Sequence, residues 1–500
     1  MTRPLFALLH RLRCAVVPVT ALVTALATVL VAALVAALVA GCGGAPAPAR
    51  HNVLLITVDT LRADFLGSYG FSLPATPNMD ALARRGLLFE TAVAASTATA
   101  PSHASIMTSR FVREHSVGSH NGSTRLEGGE TLAERFRAAG YDTAAFVSNI
   151  VLKRRTGFDR GFDVYDDALP SAEHNREIIF ERKSEQTVGR ALAWLGARAP
   201  AAPFFLWVHL QDPHGPYTPP EPFASLTDSV PLRTRRQLPL LDENRGRGGL
   251  PRYQHVEGVL RADEYAARYA GEIAYTDHWV GELVAAIEQA SEPDGAVVVL
   301  TADHGESLDE NGFFFQHGHS TTHEQALVPL LVVAPGVEAQ RISRAVHHVD
   351  IAPTLVELAG LAPLTEASGI SLLEAAAGGG QEGEALRPLF SDIGGELAVY
   401  GETGYLRVRV GGEGATKIGN EGNDLTLQWA AYERGADGAW RKAPDPPRLP
   451  AAITEYLAAE VPVVPAHAMS NEDIERLRAL GYLPPSEEML ESPGAKPGAR

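Results

Sequence analysis

Uncharged apolar runs alternate with amphipathic stretches over most of the chain. Asn52–Val58 begins abruptly as such a run, and similar short runs recur at Ala144–Val147, Phe204–Val208, Ala296–Leu300 and Leu327–Val333. Between them lie Thr131–Ala139, Tyr265–Ala290 and Ile351–Ala359, which read as helices. A strand that is apolar on both faces must be covered on both faces, so the alternation predicts a mostly parallel sheet in an α/β/α sandwich. Three of the runs lead into acids: Asp59, Asp212 and Asp303. Open α/β sheets gather their sites at the carboxyl ends of strands, so chemistry is expected on that edge.

Elsewhere the pattern changes. Residues Pro219–Arg261 are rich in Pro, Arg and Gly with weak periodicity, which predicts a long surface excursion over the active edge, suited to selecting a substrate. After residue 385 short polar strands take over at Leu397–Tyr400, Leu406–Val410 and Leu425–Tyr432, predicting a smaller C-terminal β-containing subdomain over 386–485. Within it, Ser470–Leu480 reads as one amphipathic helix capped by Ser470 or Asn471. The Pro/Glu/Gly tail 486–500 is expected to be disordered.

The N-terminal segment stands apart from this fold. Arg3, Arg11 and Arg13 precede the apolar run Ala15–Ala40, the layout of an export signal. The run ends in Val39-Ala40-Gly41-Cys42, which resembles a bacterial lipobox. That resemblance implies a signal over 1–41, a linker over 42–51, and a domain exported to the cell envelope and held at the membrane by lipid on Cys42. An uncleaved membrane-spanning helix is the other reading, and it tethers the same domain outside the cytoplasm.

Composition narrows the chemistry. The only cysteines are Cys14 and Cys42, so the domain after the linker has neither disulfides nor a catalytic thiol. Stability must come from core burial, which 45% hydrophobic residues can support. The formal net charge is −17, and loss of 1–41 removes three arginines and no acid, giving about −20. Nucleic acid is therefore not an expected partner. Membrane attachment rests on the lipid, not on charge.

An ordered set of motifs then carries the functional reading. These are Val58-Asp59-Thr60-Leu61-Arg62-Ala63-Asp64, Ala75-Thr76-Pro77-Asn78-Met79-Asp80, Thr99-Ala100-Pro101-Ser102-His103 and Leu300-Thr301-Ala302-Asp303-His304-Gly305-Glu306. Tyr275-Thr276-Asp277, Gln316-His317-Gly318, Asp350-Ile351-Ala352-Pro353-Thr354-Leu355 and Ala479-Leu480-Gly481-Tyr482-Leu483 extend the series. On chemistry alone, Asp59, Asp303 and His304 bring two hard oxygens and an imidazole to two strand ends, a set suited to a divalent cation. An Asp-His pair after a strand also serves as a helix cap, and Thr99 ahead of Pro101 reads as an N-cap too.

In order and spacing the motifs resemble the sulfatase family of the alkaline phosphatase superfamily, from Asn52 to Leu483. The resemblance implies an alkaline phosphatase-like fold, with Asp59, Thr99, Asp303 and His304 around one divalent ion. Calcium or magnesium suits the oxygens; manganese or zinc becomes favoured if His304 and Thr99 both bind. His214 matches the histidine that protonates the leaving oxygen, and His317 falls where another polar group meets the substrate oxyanion.

Departures from the family pattern matter as much. In Cys-x-Pro-Ser-Arg the cysteine becomes formylglycine and the arginine steadies it; here those positions are Thr99 and His103. Threonine cannot supply the aldehyde, so its hydroxyl is the expected nucleophile. A formylglycine hydrate sheds sulfate by elimination, whereas a threonine ester must be attacked by water. That favours phosphate or phosphonate esters over sulfate esters, carried on small molecules, glycans or lipids. The family's Gly-Lys-Trp-His stretch is replaced by Val147-Ser148-Asn149-Ile150, leaving Asn149 as the donor to substrate, with His103 in the arginine's place. No lysine follows Gln316-His317-Gly318, where His319 and His323 stand, and the second of the family's paired aspartates is Thr60. Two other readings stay open: a two-metal phosphodiesterase or head-group transferase using Asp212, His214 and His317, and a catalytically silent binding protein.

Overall fold

The computed structural model describes residues 50–459 apart from 74, 119–124, 174, 200–201, 226–235, 243–245, 379–386, 411–415, 419–424 and 447. The signal, Cys42, the Ser470–Leu480 helix, the Ala479–Leu483 motif and the tail lie outside the described residues. No described helix is long and apolar enough to cross a membrane.

Apolar runs become the centre of one sheet. In chain order its strands are β1 (Asn52–Val58), β2 (Leu87–Phe89), β3 (Asp142–Phe146), β4 (Val164–Asp166), β5 (Phe204–Leu210), β6 (Ala296–Ala302), β7 (Leu330–Val333) and β8 (Gln340–Ile342), arranged β8-β2-β7-β6-β1-β5-β3-β4. β1 lies between β6 and β5 and runs parallel to both. β7 alone runs antiparallel to its neighbours. Every residue of β5 and β6 is buried, which is why these strands carry no polar alternation. The expected mostly parallel α/β sandwich is the fold found.

Two expectations need correction. Leu327–Val333 is not one strand: Leu327–Val328 pairs with Ala92–Val93 in a separate three-stranded sheet, while Leu330–Val333 forms β7. Pro329 divides them, because it has no N–H for a ladder, and its carbonyl accepts the Thr301 hydroxyl at 2.8 Å. Nor is Pro219–Arg261 wholly a surface excursion. Leu250, Tyr253 and Gln254 are buried, and the Tyr253 hydroxyl and Gln254 amide both donate to the Phe315 carbonyl, at 3.0 and 3.1 Å.

Local signals account for the helices. Leu132–Ala138 starts in a capping box, with Thr131 Oγ1 accepting from Glu134 N and the Glu134 carboxylate accepting from Thr131 N. The long helix Ala262–Ala290 braces the site from outside: the Tyr269 hydroxyl donates to Thr60 O at 2.5 Å and accepts from Arg62 N at 3.0 Å. One turn pair further on, Asp277 accepts from Asn78 N and Met79 N. The family-like residues Asn78 and Asp277 thus fasten two helices together.

The C-terminal sheet runs Leu389–Ile393, Glu396–Tyr400, Gly404–Val410, Leu425–Arg434 and Thr416–Ile418 in spatial order, with Trp440–Ala443 on Leu425–Arg434. It reaches towards the active edge, where the Glu396 carboxylate accepts from Ser320 Oγ and Thr321 N, and the Tyr400 hydroxyl donates to Thr321 O.

Candidate active site

Because β1 and β6 are parallel neighbours, the residues that follow them meet at one edge. Asp59 leaves β1 with its N–H on Leu210 O at 2.8 Å, and Asp303 leaves β6 with Oδ1 accepting from Thr60 N and His304 N, at 3.2 and 2.8 Å. Thr60 turns the chain at φ 56°, in the left-handed region that costs a β-branched residue strain. The Tyr269 hydroxyl on its carbonyl holds it there. Gly305 is required by close approach, since a Cβ there would lie 2.1 Å from Glu324 O.

Hydrogen bonding fixes the His304 tautomer. Its Nδ1 donates to Gly305 O at 2.9 Å, so Nε2 carries a lone pair, which accepts the Thr99 hydroxyl at 3.3 Å. The same Nε2 stands 3.5 Å from Asp303 Oδ2 and 3.8 Å from Asp59 Oδ1. Ligand atoms of Asp59, Asp303 and His304 lie within 4.8 Å of one another, all buried.

Asp59 Oδ1 and Asp303 Oδ2 have no hydrogen-bond partner, although both residues are wholly buried. Burial and the neighbouring Asp59 charge raise the Asp303 carboxyl well above its usual range. Burial alone would raise Asp59 too, but the nearby imidazoles of His209, His214 and His304 outweigh it and hold Asp59 low. Taking unpaired charge out of water costs several kcal/mol per ion, about what burial of two core aliphatic side chains contributes. Two orphaned carboxylate oxygens facing an imidazole lone pair and a hydroxyl are a donor set that a divalent cation fits.

Thr99 heads a helix rather than capping it. Thr99–Thr108 is buried throughout, and Ala98 takes the cap position with no side-chain bond, which corrects the N-cap expectation for Thr99. As first helical residue, Thr99 points its hydroxyl at His304 while the positive helix end backs it.

His214, on the turn after β5, donates from Nδ1 to Gly215 O at 2.9 Å, and its ring centre lies 5.1 Å from that of His317. The His317 ring in turn stands 4.5 Å from that of His304, and its Nδ1 meets Glu306 Oε1 and Oε2 at 3.3 and 3.4 Å. Three imidazoles therefore line one wall beside Thr99. Glu306 and Tyr217, whose hydroxyl donates to Glu306 Oε2 at 3.2 Å, were not expected at the site. Burial pushes the Glu306 carboxyl up to about 8, with the neighbouring His304 imidazole opposing. The Asp303-His304-Gly305-Glu306 run already held that signal.

His103 is placed differently from expectation, and Asn149 has an added role. The Asn149 amide donates one of its two N–H groups to Asp59 Oδ2 at 2.7 Å and its oxygen accepts from Val151 N, so it steadies a carboxylate. His103 is fully buried, with Nδ1 on Thr99 O at 2.8 Å and Nε2 on Thr57 Oγ1 at 3.0 Å. Both ring nitrogens are spent inside the protein, behind the nucleophile. Asp212 also turns away, accepting the N–H and hydroxyl of Ser184 and facing Lys183 at 3.8 Å. Consequently Asp212, His214 and His317 do not form a candidate metal set among the described residues.

Known proteins supply the remaining context. The profile of the family described as Sulfatase matches residues 51–361. The chain is 24% identical to an arylsulfatase of Clostridium perfringens over 382 residues, 64% of this chain and 77% of that protein. To the multifunctional alkaline phosphatase superfamily protein PehA of Trinickia caryophylli it is 26% identical over 403 residues, covering 65% and 76%. Among solved structures, the phosphonate monoester hydrolase of Agrobacterium radiobacter superposes with a TM-score of 0.57 at 21% identity, covering 77% of this chain and 89% of that one. That likeness establishes the fold.

Proposed function

The chain belongs to the sulfatase family and is an ester hydrolase, and from that premise we propose that it cleaves phosphate or phosphonate esters through a covalent intermediate on Thr99, with sulfate esters as the second substrate class. The observation that carries this reading is the Thr99 hydroxyl, 3.3 Å from His304 Nε2 at the head of a buried helix, where the family pattern has the modified cysteine.

Asp59, Asp303, His304 and the Thr99 oxygen would hold the divalent cation. When bound it supplies Lewis-acid chemistry, making the hydroxyl a better nucleophile and offsetting charge on the phosphoryl or sulfuryl oxygens. Asn149 keeps Asp59 in place by its bond to Oδ2, and Tyr269 keeps the Thr60 turn that aims it. Thr99 Oγ1 attacks phosphorus or sulfur, its proton passing to solvent, as the new ester bond forms and the bond to the leaving oxygen breaks. His214, its Nδ1–H held by Gly215 O, delivers a proton to that oxygen from Nε2 as the imidazolium and is left neutral. Water then attacks the threonine ester, its proton held by His317, whose Nδ1 rests on Glu306; hydrolysis restores the Thr99 hydroxyl.

A panel of aryl phosphate, phenylphosphonate, phosphodiester and aryl sulfate substrates tests the substrate class. Phosphate or phosphonate turnover should exceed sulfate turnover by an order of magnitude or more in kcat/KM. The reverse order would return the enzyme to sulfate esters. No turnover of any ester under varied divalent cations would leave a binding protein.

Localisation is a separate proposal, resting on Val39-Ala40-Gly41-Cys42. In a bacterial host the protein should incorporate a fatty-acid analogue, and Cys42→Ser should lose the label and accumulate as precursor or leave the membrane fraction. Unchanged labelling of Cys42→Ser would remove the lipoprotein reading.

A further inference from the structure

His214, the proton donor of the proposed function, sits on a turn rather than on a strand or helix. Its N–H closes that turn on Gln211 O at 2.8 Å, and its Nδ1 donates to Gly215 O, a residue of the same loop. The aim of Nε2 therefore follows the loop. A displacement of about 1 Å can cost on the order of 100-fold in rate, so whatever fixes the loop bears on the reaction.

Asp212, at the corner of the turn, ties it to a second element. Its buried Oδ2 accepts both the N–H of Ser184, at 2.6 Å, and the Ser184 hydroxyl. Ser184 is the first residue of the helix Ser184–Ala197, so a carboxylate meets the positive helix end. Its Oδ1 faces Lys183 Nζ at 3.8 Å, and that ammonium lies 3.4 Å from Glu181 Oε1. Burial pushes the Asp212 carboxyl up, while Lys183 and the Ser184 bonds oppose the shift. The anchor is itself held. Arg182, buried next to Lys183, donates to Val147 O and Asp166 Oδ1 at 2.8 and 2.7 Å, at the carboxyl ends of β3 and β4. Residues 182–184 thus connect two strand ends to the corner of the His214 turn. At the far end of the loop a second buried carboxylate, Glu272, accepts from Thr218 N at 2.6 Å. Between the two, Gly215 packs so closely on Gln254 that a Cβ would lie 2.0 Å from its amide.

We infer that Asp212, gripped by Ser184 and Lys183, is a positioning residue for the acid step: it holds the turn that aims His214 at the leaving oxygen. The inference rests on the role of His214 in the proposed function. Its signature is a dependence on the leaving group. A nitrophenolate departs readily without a proton, whereas a phenolate departs slowly unless His214 supplies one, so lost aim shows on phenyl esters and barely on nitrophenyl esters. A residue that only supported the fold would lower both alike.

The experiment measures kcat/KM, with the divalent cation saturating, on 4-nitrophenyl and phenyl esters of phosphate, phenylphosphonate and sulfate. His214→Ala should lose about 100-fold or more on the phenyl ester and far less on the 4-nitrophenyl ester. Asp212→Ala should lose about 10- to 100-fold on the phenyl ester, the scale of removing a group that orients a reacting side chain, and keep the 4-nitrophenyl rate near wild type. Combined with His214→Ala it should lose nothing further, because no acid is left to aim. An equal loss on both esters, a further loss in the double variant, or no loss in Asp212→Ala overturns this inference alone. A His214→Ala variant without leaving-group dependence removes the acid role of His214 and this inference with it. No turnover of any ester by wild type removes the proposed mechanism as a whole. If Asp212→Ala does not fold, Asp212→Asn and Lys183→Met decide: a loss confined to the phenyl ester supports the inference, and a loss on both esters or on neither rejects it.

Discussion

Thr99→Ala should lose nearly all esterase activity, by several orders of magnitude in kcat, while Thr99→Ser keeps a substantial part of it. Serine retains the hydroxyl that His304 Nε2 contacts at 3.3 Å; alanine retains only the helix. Neither change disturbs the fold's supports, because the Thr99 side chain makes no cap bond and His103 binds its carbonyl, not its hydroxyl. What remains in the alanine variant is rate from binding and charge alone. Protein quenched during turnover should yield a phosphorylated or sulfated peptide containing Thr99, enriched in His317→Ala, which slows the second step. Full activity in Thr99→Ala with no adduct would mean that water attacks the ester directly, and the covalent mechanism would be abandoned while the fold assignment stood.

How far the sequence could be read depended on whether an interaction was local. β1, β5 and β6 were legible because buried parallel strands show on their face as uncharged runs, and an acid after such a run marks the working edge. Thr99 was legible by position in its motif. Asn149 and His103 each hold a partner that no motif shows: each is committed to a residue far away in sequence, Asn149 to Asp59 and His103 to Thr57. A motif reveals that a polar group is present, but not which of two neighbours claims it. Asp212 misled in the same way, since its place after a strand resembles that of Asp59, yet Ser184 takes its oxygen. His209 is the converse, a buried imidazole that comes within 3.6 Å of Asp59 only because β1 and β5 are neighbours. The Pro219–Arg261 segment looked irregular because it forms no helix or long strand; its anchors are Tyr253 and Gln254 on Phe315.

Asp303→Asn separates a metal site from an ordinary polar core. In the wild type, Asp59 and Asp303 are wholly buried with one orphaned oxygen each, and Asp303 is raised by burial and by the Asp59 charge. Asparagine has nearly the same shape and can keep accepting Thr60 N and His304 N through its oxygen, so the metal-free variant should fold and melt no lower than metal-free wild type. It should also bind no divalent cation tightly and show loss of activity by orders of magnitude. A ligand at 100 times its dissociation constant stabilises the folded state by about 2.7 kcal/mol. Wild type should therefore melt several degrees higher when calcium, magnesium, manganese or zinc is added, whereas Asp303→Asn should show no such rise with any of them. His304→Ala should behave likewise. If both variants keep full metal occupancy and the metal-dependent rise in melting temperature, the cation sits elsewhere, and the strand-end assignment of Asp59, Asp303 and His304 falls with it.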